Sequence, residues 1–344
     1  MKLVCLSKVT LLLSLVIFCQ CKNESQAPPA STHTHTPTEK ELKKYSFSQP
    51  HLGTTVLIVF YAEQDQPATE FSQKCFQRVR DLNAIFSDYQ DDSELSKLSQ
   101  KPINQAHKVS EPLFTVIAQA QEISAKTNGA FDITLGRLTQ RWRDHSTQNL
   151  AQPKLADQAS YQDLKLDPEQ QTITLLKPLK LDLGGIAKGY IADQLMLILK
   201  DAGITQAAVV IGGETVLAAA PPGKDGWRIG IENTEHKIIG TLTLEHTCLS
   251  TSGDSYQFFE RESDGERQSH LIDPATKKSK TNRLNVTTIA PTAMQADAWA
   301  TALRILPTEK SIPLANQQPH LQALFLPHQE EPSKTDGFPA ISEP

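Results

Sequence analysis

The spacing of apolar positions changes period several times along the chain. The run at 55–61 (TVLIVFY) is apolar and β-branched and predicts a strand. Phe71, Cys75, Val79, Leu82 and Phe86 then recur at helical spacing, predicting a helix over 69–86. Asp91-Asp92-Ser93 reads as a helix entrance that Asp92 or Ser93 caps, with Leu95 and Leu98 behind it. A second amphipathic helix is predicted over 111–127, with Val116, Ala120 and Ile123 on one face and Asn128-Gly129 as its stop. Segments 172–176 and 179–183 read as a hairpin. A third helix follows over 186–201, with Ile191, Leu195 and Ile198 on one face and Gly203 as its stop. Strands are predicted at 207–211, 227–232, 239–244 and 284–290, a helix over 294–305, and a last strand at 321–326. No internal repeat is visible. This mixed order of strands and helices favours an α+β fold over a doubly wound sheet, in one body spanning 44–327 with a polar tail at 328–344.

The first 43 residues follow a different logic. An apolar run at 9–18 is preceded by Lys2 and Lys8. It is too short to cross ~30 Å of hydrocarbon comfortably and reads as an export signal occupying 1–21. No small-residue cleavage site precedes the polar stretch; the run ends in Phe18-Cys19-Gln20-Cys21. A cysteine there points to lipoprotein processing, with Cys21 as the lipidated residue. The chain would then be exported and held by a lipid anchor on the non-cytoplasmic face of a membrane (the periplasmic side of the inner membrane in a Gram-negative cell). A plain cleaved signal and an uncleaved anchor are the alternatives. Residues 22–43 are rich in Ser, Thr, Pro, Gln and Lys and read as a flexible tether. His33 and His35 could catch a metal, but a tether is the simpler reading.

Composition narrows the function. Lys and Arg total 34 against 39 Asp and Glu, a net charge of -5. With no basic excess to neutralise phosphates, nucleic-acid binding is not expected. A mean hydropathy of -0.35 excludes a multi-span membrane protein. Five cysteines exclude a disulfide-dense scaffold. Only Cys75, on the core stripe, and Cys248, in an apparent strand, would remain after processing; a bridge between them is open in an oxidising compartment.

Five clusters carry chemistry. Gly129-Ala130-Phe131-Asp132-Ile133-Thr134 can turn backbone amides and a ring toward a ligand, or simply stop a helix. In Leu181-Asp182-Leu183-Gly184-Gly185-Ile186-Ala187-Lys188-Gly189-Tyr190 a strand gives way to a glycine pair and a helix start, with Lys188 in the first turn. Such a turn suits an anion, although it is neither a Walker loop nor GxGxxG. Ile211-Gly212-Gly213-Glu214 ends another strand in two glycines. Ser250-Thr251-Ser252-Gly253-Asp254 and Ser269-His270-Leu271-Ile272-Asp273-Pro274 bring hydroxyls and a histidine that titrates near neutrality. A serine hydrolase is not supported, since no G-x-S-x-G elbow occurs. Asp297 and Thr301 are i and i+4 on one helix face, a carboxylate and a hydroxyl suited to a hard cation such as Mg²⁺.

In this order the clusters, with HLGTT at 51–55 and FSDYQDDSELSKLS at 86–99, resemble the FAD:protein FMN transferase family, the ApbE flavin transferases, over about 45–327. The resemblance implies an ApbE-like α+β body with an FAD cleft. It also implies Mg²⁺-dependent transfer of FMN from FAD to a threonine hydroxyl of an acceptor protein, releasing AMP. The acceptor would be a flavin-carrying subunit of a membrane redox complex. By motif match, Asp297, Thr301 and the Gly185 carbonyl would hold Mg²⁺. FAD would meet Leu52, Tyr89, Ala130, Phe131, Asp132, Asp182, Lys188 and Ile272. His270 or Asp182 would take the acceptor proton, and Lys188 would offset phosphate charge. Three departures stand out: Leu52 replaces a usual Met, Glu214 a usual Asp, and Thr276-Lys277 a usual Thr-Gly, which predicts a different turn there. An FAD pyrophosphatase giving FMN and AMP, or a non-catalytic flavin-binding lipoprotein, are the competing readings; a thiamine-pathway role carries little weight.

Overall fold

The computed structural model describes residues 41–64, 66–144, 158–261 and 264–344. Seven helices and seventeen strands occur among them. The strands are β1 (Leu42–His51), β2 (Thr54–Glu63), β3 (Ala106–Lys108), β4 (Leu164–Asp167), β5 (Thr172–Leu175), β6 (Ala207–Ile211), β7 (Glu214–Leu217), β8 (Trp227–Glu232), β9 (Ile238–Leu244), β10 (Thr247–Ser252), β11 (Phe258–Glu260), β12 (Arg267–Ser269), β13 (Ile272–Asp273), β14 (Lys278–Ser279), β15 (Leu284–Ala290), β16 (Gln322–Pro327) and β17 (Ser333–Lys334). The helices are α1 (Ala68–Phe86), α2 (Glu94–Ser99), α3 (Glu111–Lys126), α4 (Gly136–Arg143), α5 (Ala187–Asp201), α6 (Ala293–Ile305) and α7 (Thr308–Asn316). The fold is α+β.

Eight strands form one antiparallel sheet in the order β1-β2-β6-β7-β10-β15-β16-β17. Within it β2 and β6 are covered on both faces. On β2, Val56, Ile58 and Phe60 point into a core shared with α1, α3, α5 and α6, while Val59 points into a second core. The same alternation sends Val209 and Ile211 to the first core and Ala208 and Val210 to the second. A strand buried on both sides loses its period-two signal, which is why 55–61 and 207–211 read as unbroken apolar runs. The second core is roofed by the β8–β9 hairpin through Trp227, Ile229, Ile231 and Leu242. Among the described residues no helix is long and apolar enough to cross a membrane.

Two expectations change. The 172–176/179–183 hairpin does not form: β5 pairs with β4 and β3, and Lys180 instead makes a parallel bridge to Leu135. The partner strand at 164–167 carries Lys165 and Asp167 and shows little apolar signal, so the apolar 179–183 was the tempting substitute. The polar segment after 327 is not a free tail. It adds β17, buries Phe338 in the second core, and pairs Ser342 with Thr241. One buried phenylalanine among polar neighbours leaves no periodicity to read. Cys75 and Cys248 are both buried free thiols. Ser93 caps α2 as expected, accepting from the Ser96 amide.

Candidate functional site

Strand register gathers the glycine turns at one end of the large sheet. Val56 pairs with Ile211, Ile211 with Glu214, Glu214 with Ser250, and Ser252 with Val286. The start of β2, the β6–β7 turn and the end of β10 therefore meet. Leu52 and Gly53 form the two-residue β1–β2 turn, both left-handed, at φ 55° and 69°. That turn requires positive φ at both positions. Gly212 is also left-handed, and a Cβ there would lie 3.1 Å from Thr54 Oγ1.

The Asp182–Lys188 segment lies beside this end. Asp182 N donates to Ile133 O at 2.8 Å, so the Gly129–Thr134 and Leu181–Tyr190 clusters are stitched together. Gly185 sits between Phe131 and Thr301: a Cβ there would lie 3.0 Å from Thr301 Oγ1 and 3.2 Å from Phe131 Cε2. The three residues expected around a cation are thus brought together in part by close packing that only glycine permits. Asp297, 3% exposed, accepts from the Gly189 amide at 3.1 Å. α5 and α6 are fastened a second time where Asp193 accepts from the Ala293 and Met294 amides at 2.9 and 3.0 Å.

Lys188 lies among oxygens. Its Nζ donates to Gly184 O at 2.9 Å and lies 3.2 Å from Glu214 Oε1 and 3.8 Å from Asp297 Oδ2. Burial pulls its pKa down, but the Asp297 and Glu214 carboxylates outweigh that and hold the ammonium above its ordinary value. Burial raises both Glu214 and Asp297, against the pull of Lys188. The Glu214 and Asp297 carboxyls also meet each other in a side-chain hydrogen bond. Glu214, pushed up to about 8, carries a proton near neutrality, so one carboxylate faces one ammonium in the cluster. The Asp297 carboxylate and Thr301 hydroxyl, one turn apart on α6 with Gly185 packed against Thr301, are oxygen donors only, which fits a hard divalent cation rather than a soft one. No group of three His, Cys, Asp or Glu side chains that could hold a metal occurs among the described residues. Such a cation would therefore depend on Thr301, the Gly185 carbonyl and substrate oxygens.

The other candidates divide by how fully they are engaged. Asp132 is saturated, accepting from Thr134 N and Oγ1 at 2.8 and 2.7 Å and from Tyr161 N at 3.1 Å. Asp182 accepts from Gly184 N at 2.8 Å and Thr139 Oγ1 at 2.6 Å, with Arg143 at 3.5 Å. Both carboxylates hold loops in shape, which leaves Asp182 poorly placed to act as a base. Phe131, Ala130 and Ile272 are buried. His270 is different. Its Nδ1 lies 3.1 Å from Gln257 O, so Nδ1 carries the proton and Nε2 is left as an acceptor. Burial, helped by Lys188 and Arg304, lowers its pKa to about 4 despite the Gln257 carbonyl and Asp254, so the ring is neutral near pH 7. Tyr89 is 74% exposed, with the Arg143 guanidinium 4.3 Å from its ring centroid.

Arg143 was not legible in the sequence. It pairs with Asp88 and Asp182 and covers Tyr89, joining two segments, 86–99 and 181–190, that the motifs treat separately. Its helix, GRLTQRWR, has too few apolar positions to announce a packed face. The turn after His270 also differs from expectation. Lys277 adopts φ 58°, the left-handed conformation a glycine would take, so the turn persists with lysine in the strained place. The β13–β14 pairing of Ile272 with Ser279 is kept.

Comparison with known proteins agrees with this geometry. The ApbE family model matches residues 52–325. The chain belongs to the ApbE family. It is 29% identical over 323 residues to the FAD:protein FMN transferase of Escherichia coli (strain K12), covering 89% of this chain and 88% of that protein. It is 31% identical over 298 residues to the FAD:protein FMN transferase of Vibrio cholerae serotype O1, covering 82% and 88%. The crystal structure of the Pseudomonas stutzeri flavinyl transferase ApbE in its apo form superposes with a TM-score of 0.74 at 27% identity, covering 86% of this chain and 95% of that one. The ApbE match begins at the Leu52 turn and ends in β16, so it takes in every cluster described above.

Proposed function

We propose that this chain is a flavin transferase that moves FMN from FAD to a threonine hydroxyl of an acceptor protein and releases AMP. The observation that carries the reading is the cluster of buried Asp297 with half-buried Thr301 and Gly185 beside Lys188, at the glycine-lined end of an ApbE-family sheet. Attack on a diphosphate phosphorus needs charge neutralisation and positioning more than covalent catalysis. Lys188 supplies one fixed positive charge. Asp297, Thr301 and the Gly185 carbonyl would hold Mg²⁺, whose contribution when bound is Lewis-acid stabilisation of the phosphate oxygens. His270 Nε2, unprotonated and free to accept, takes the proton of the acceptor hydroxyl. The threonine Oγ–phosphorus bond forms, the bond from that phosphorus to the bridging oxygen breaks, and AMP leaves with that oxygen and its electron pair. Tyr89, once Arg143 moves off its face, offers a ring for the isoalloxazine to stack upon.

Incubation of the chain with FAD, MgCl₂ and a flavin-carrying redox subunit, followed by a denaturing gel, tests the reaction. A fluorescent acceptor band with AMP in solution is the expected result, and chelation by EDTA removes it. Free FMN without a labelled band identifies an FAD pyrophosphatase instead. Bound, unchanged FAD identifies a flavin-binding protein without activity.

The proposed setting is the non-cytoplasmic face of a membrane, through a lipid on Cys21. That residue lies outside the described residues, and the support is the sequence at 1–21 alone. Cys21→Ala is expected to shift the chain from the membrane to the soluble fraction; retention in the membrane fraction overturns the anchor.

A further inference from the structure

Lys188 places a positive charge inside the oxygen cluster that the proposed function assigns to a divalent cation. Its Nζ lies 3.2 Å from Glu214 Oε1 and 3.8 Å from Asp297 Oδ2, and both carboxylate residues are 3% exposed. A divalent ion bonded to Asp297 at about 2.0–2.1 Å cannot lie far from that ammonium. Like charges so close repel, although a side chain 28% exposed leaves the ammonium partly screened by water. Glu214 holds the ammonium through one oxygen and also meets Asp297 in a side-chain hydrogen bond.

We infer that Lys188 is a resident counter-ion that competes with the divalent cation for Asp297, with Glu214 keeping the ammonium parked in the cleft until a diphosphate arrives. This rests on the proposed cation site. In the flavin-free chain the ammonium already neutralises part of the negative charge, so a divalent ion gains little by entering. A dinucleotide diphosphate changes the balance in two ways. It brings negative charge, and it offers the ammonium a second set of oxygens away from Asp297. Cation and dinucleotide therefore bind with positive coupling, and the coupling is reciprocal. Lys188 and Glu214 thus act as positioning residues for the order and strength of loading, beyond any contact Lys188 makes with phosphate.

The test measures binding rather than turnover. MgCl₂ is titrated calorimetrically into the flavin-free chain as wild type, Lys188→Met, the double variant Lys188→Met/Glu214→Gln, and Asp297→Asn. FAD affinity is read by quenching of flavin fluorescence, with and without Mg²⁺ and without acceptor. The double variant replaces both partners of the Lys188–Glu214 contact, so neither is left buried without the other if Lys188→Met alone fails to fold. Both Lys188 variants are expected to bind Mg²⁺ at least about fivefold more tightly than wild type, at the lower end of ordinary coupling factors. The tightening of FAD binding by Mg²⁺, present in wild type, is expected to shrink in both. Unchanged or weaker Mg²⁺ binding in the double variant, while Asp297→Asn abolishes binding, overturns the counter-ion role and leaves the cation site standing. Undiminished Mg²⁺ binding in Asp297→Asn overturns the cation site itself and the inference with it.

Discussion

At the scale of single residues, His270 has the sharpest consequence. Its folded-state pKa, about 4, lies below the ordinary histidine value of 6.5, because burial disfavours the imidazolium. The sign follows directly. Between those two values the folded chain binds fewer protons than the unfolded chain, so stability contributed by His270 is lost as pH falls through that window. The same shift keeps Nε2 available as a base well below pH 6.5. His270→Gln is expected to lower kcat/KM for transfer by about 10²- to 10⁴-fold, the usual weight of a positioned general base. In the wild type the acid limb assigned to this group should fall below pH 6. A limb at the ordinary histidine pKa that vanishes in His270→Gln would show the ring to be exposed and charged. Part of this was legible: the HLIDP motif singled out His270, and the i, i+4 spacing paired Asp297 with Thr301. The roles of Asp132 and Asp182 were not, because a carboxylate in a motif looks the same whether it faces a ligand or accepts from its own loop. Only the amides of Gly184 and Tyr161 and the hydroxyls of Thr134 and Thr139 reveal that these two are engaged.

At the scale of elements, the contact between α5 and α6 decides whether the oxygen cluster exists. A Cβ on Gly189 would collide with the Ala293 carbonyl, so the helices meet at backbone distance there. Gly189→Ala is expected to cost about 1–3 kcal/mol through overpacking. It should also weaken Mg²⁺ binding, because the Gly189 amide that orients Asp297 must shift; thermal melting and calorimetry read the two effects separately. Asp193 provides the second fastening. Burial raises its pKa to about 6, against the hydrogen bonds from the Met294 and Ala293 amides. A raised carboxyl pKa means the folded chain binds the proton more readily than the unfolded one between about pH 4 and 6. Stability linked to Asp193 is therefore full below that window and lost as pH rises through it. Asp193→Asn is expected to flatten the dependence of Tm on pH over this range; a slope equal to wild type would show that the carboxyl is not buried in this way. The long helices were legible in outline, since their buried faces repeat at helical spacing. The β3-β5-β4 sheet was not, because short half-exposed strands carry too few apolar positions to compete with the 179–183 run.

At the scale of the whole molecule, the two faces of the large sheet have separate duties. The helix-covered face carries Lys188 on α5 and Asp297 and Thr301 on α6. The opposite face, under β8 and β9, holds a smaller core that Phe338 completes from beyond β17. The closing contact is close: Gly240 meets Ile341 and Ser342 where a side chain has no room, and Thr241 exchanges two backbone hydrogen bonds with Ser342, each 2.9 Å. The terminal segment thus stabilises the fold from the face opposite Lys188, Asp297 and Thr301. Phe338→Ala is expected to cost about 3–5 kcal/mol, the range for deleting a buried aromatic ring. In a domain of this size that lowers Tm by on the order of 5–15 °C. Below the melting transition, Mg²⁺ affinity and the kcat/KM for transfer should match wild type, because the sheet separates Phe338 from the oxygen cluster. Loss of activity in a variant that remains folded would mean that the two faces are mechanically coupled, and that the terminal segment shapes the site as well as closing the second core.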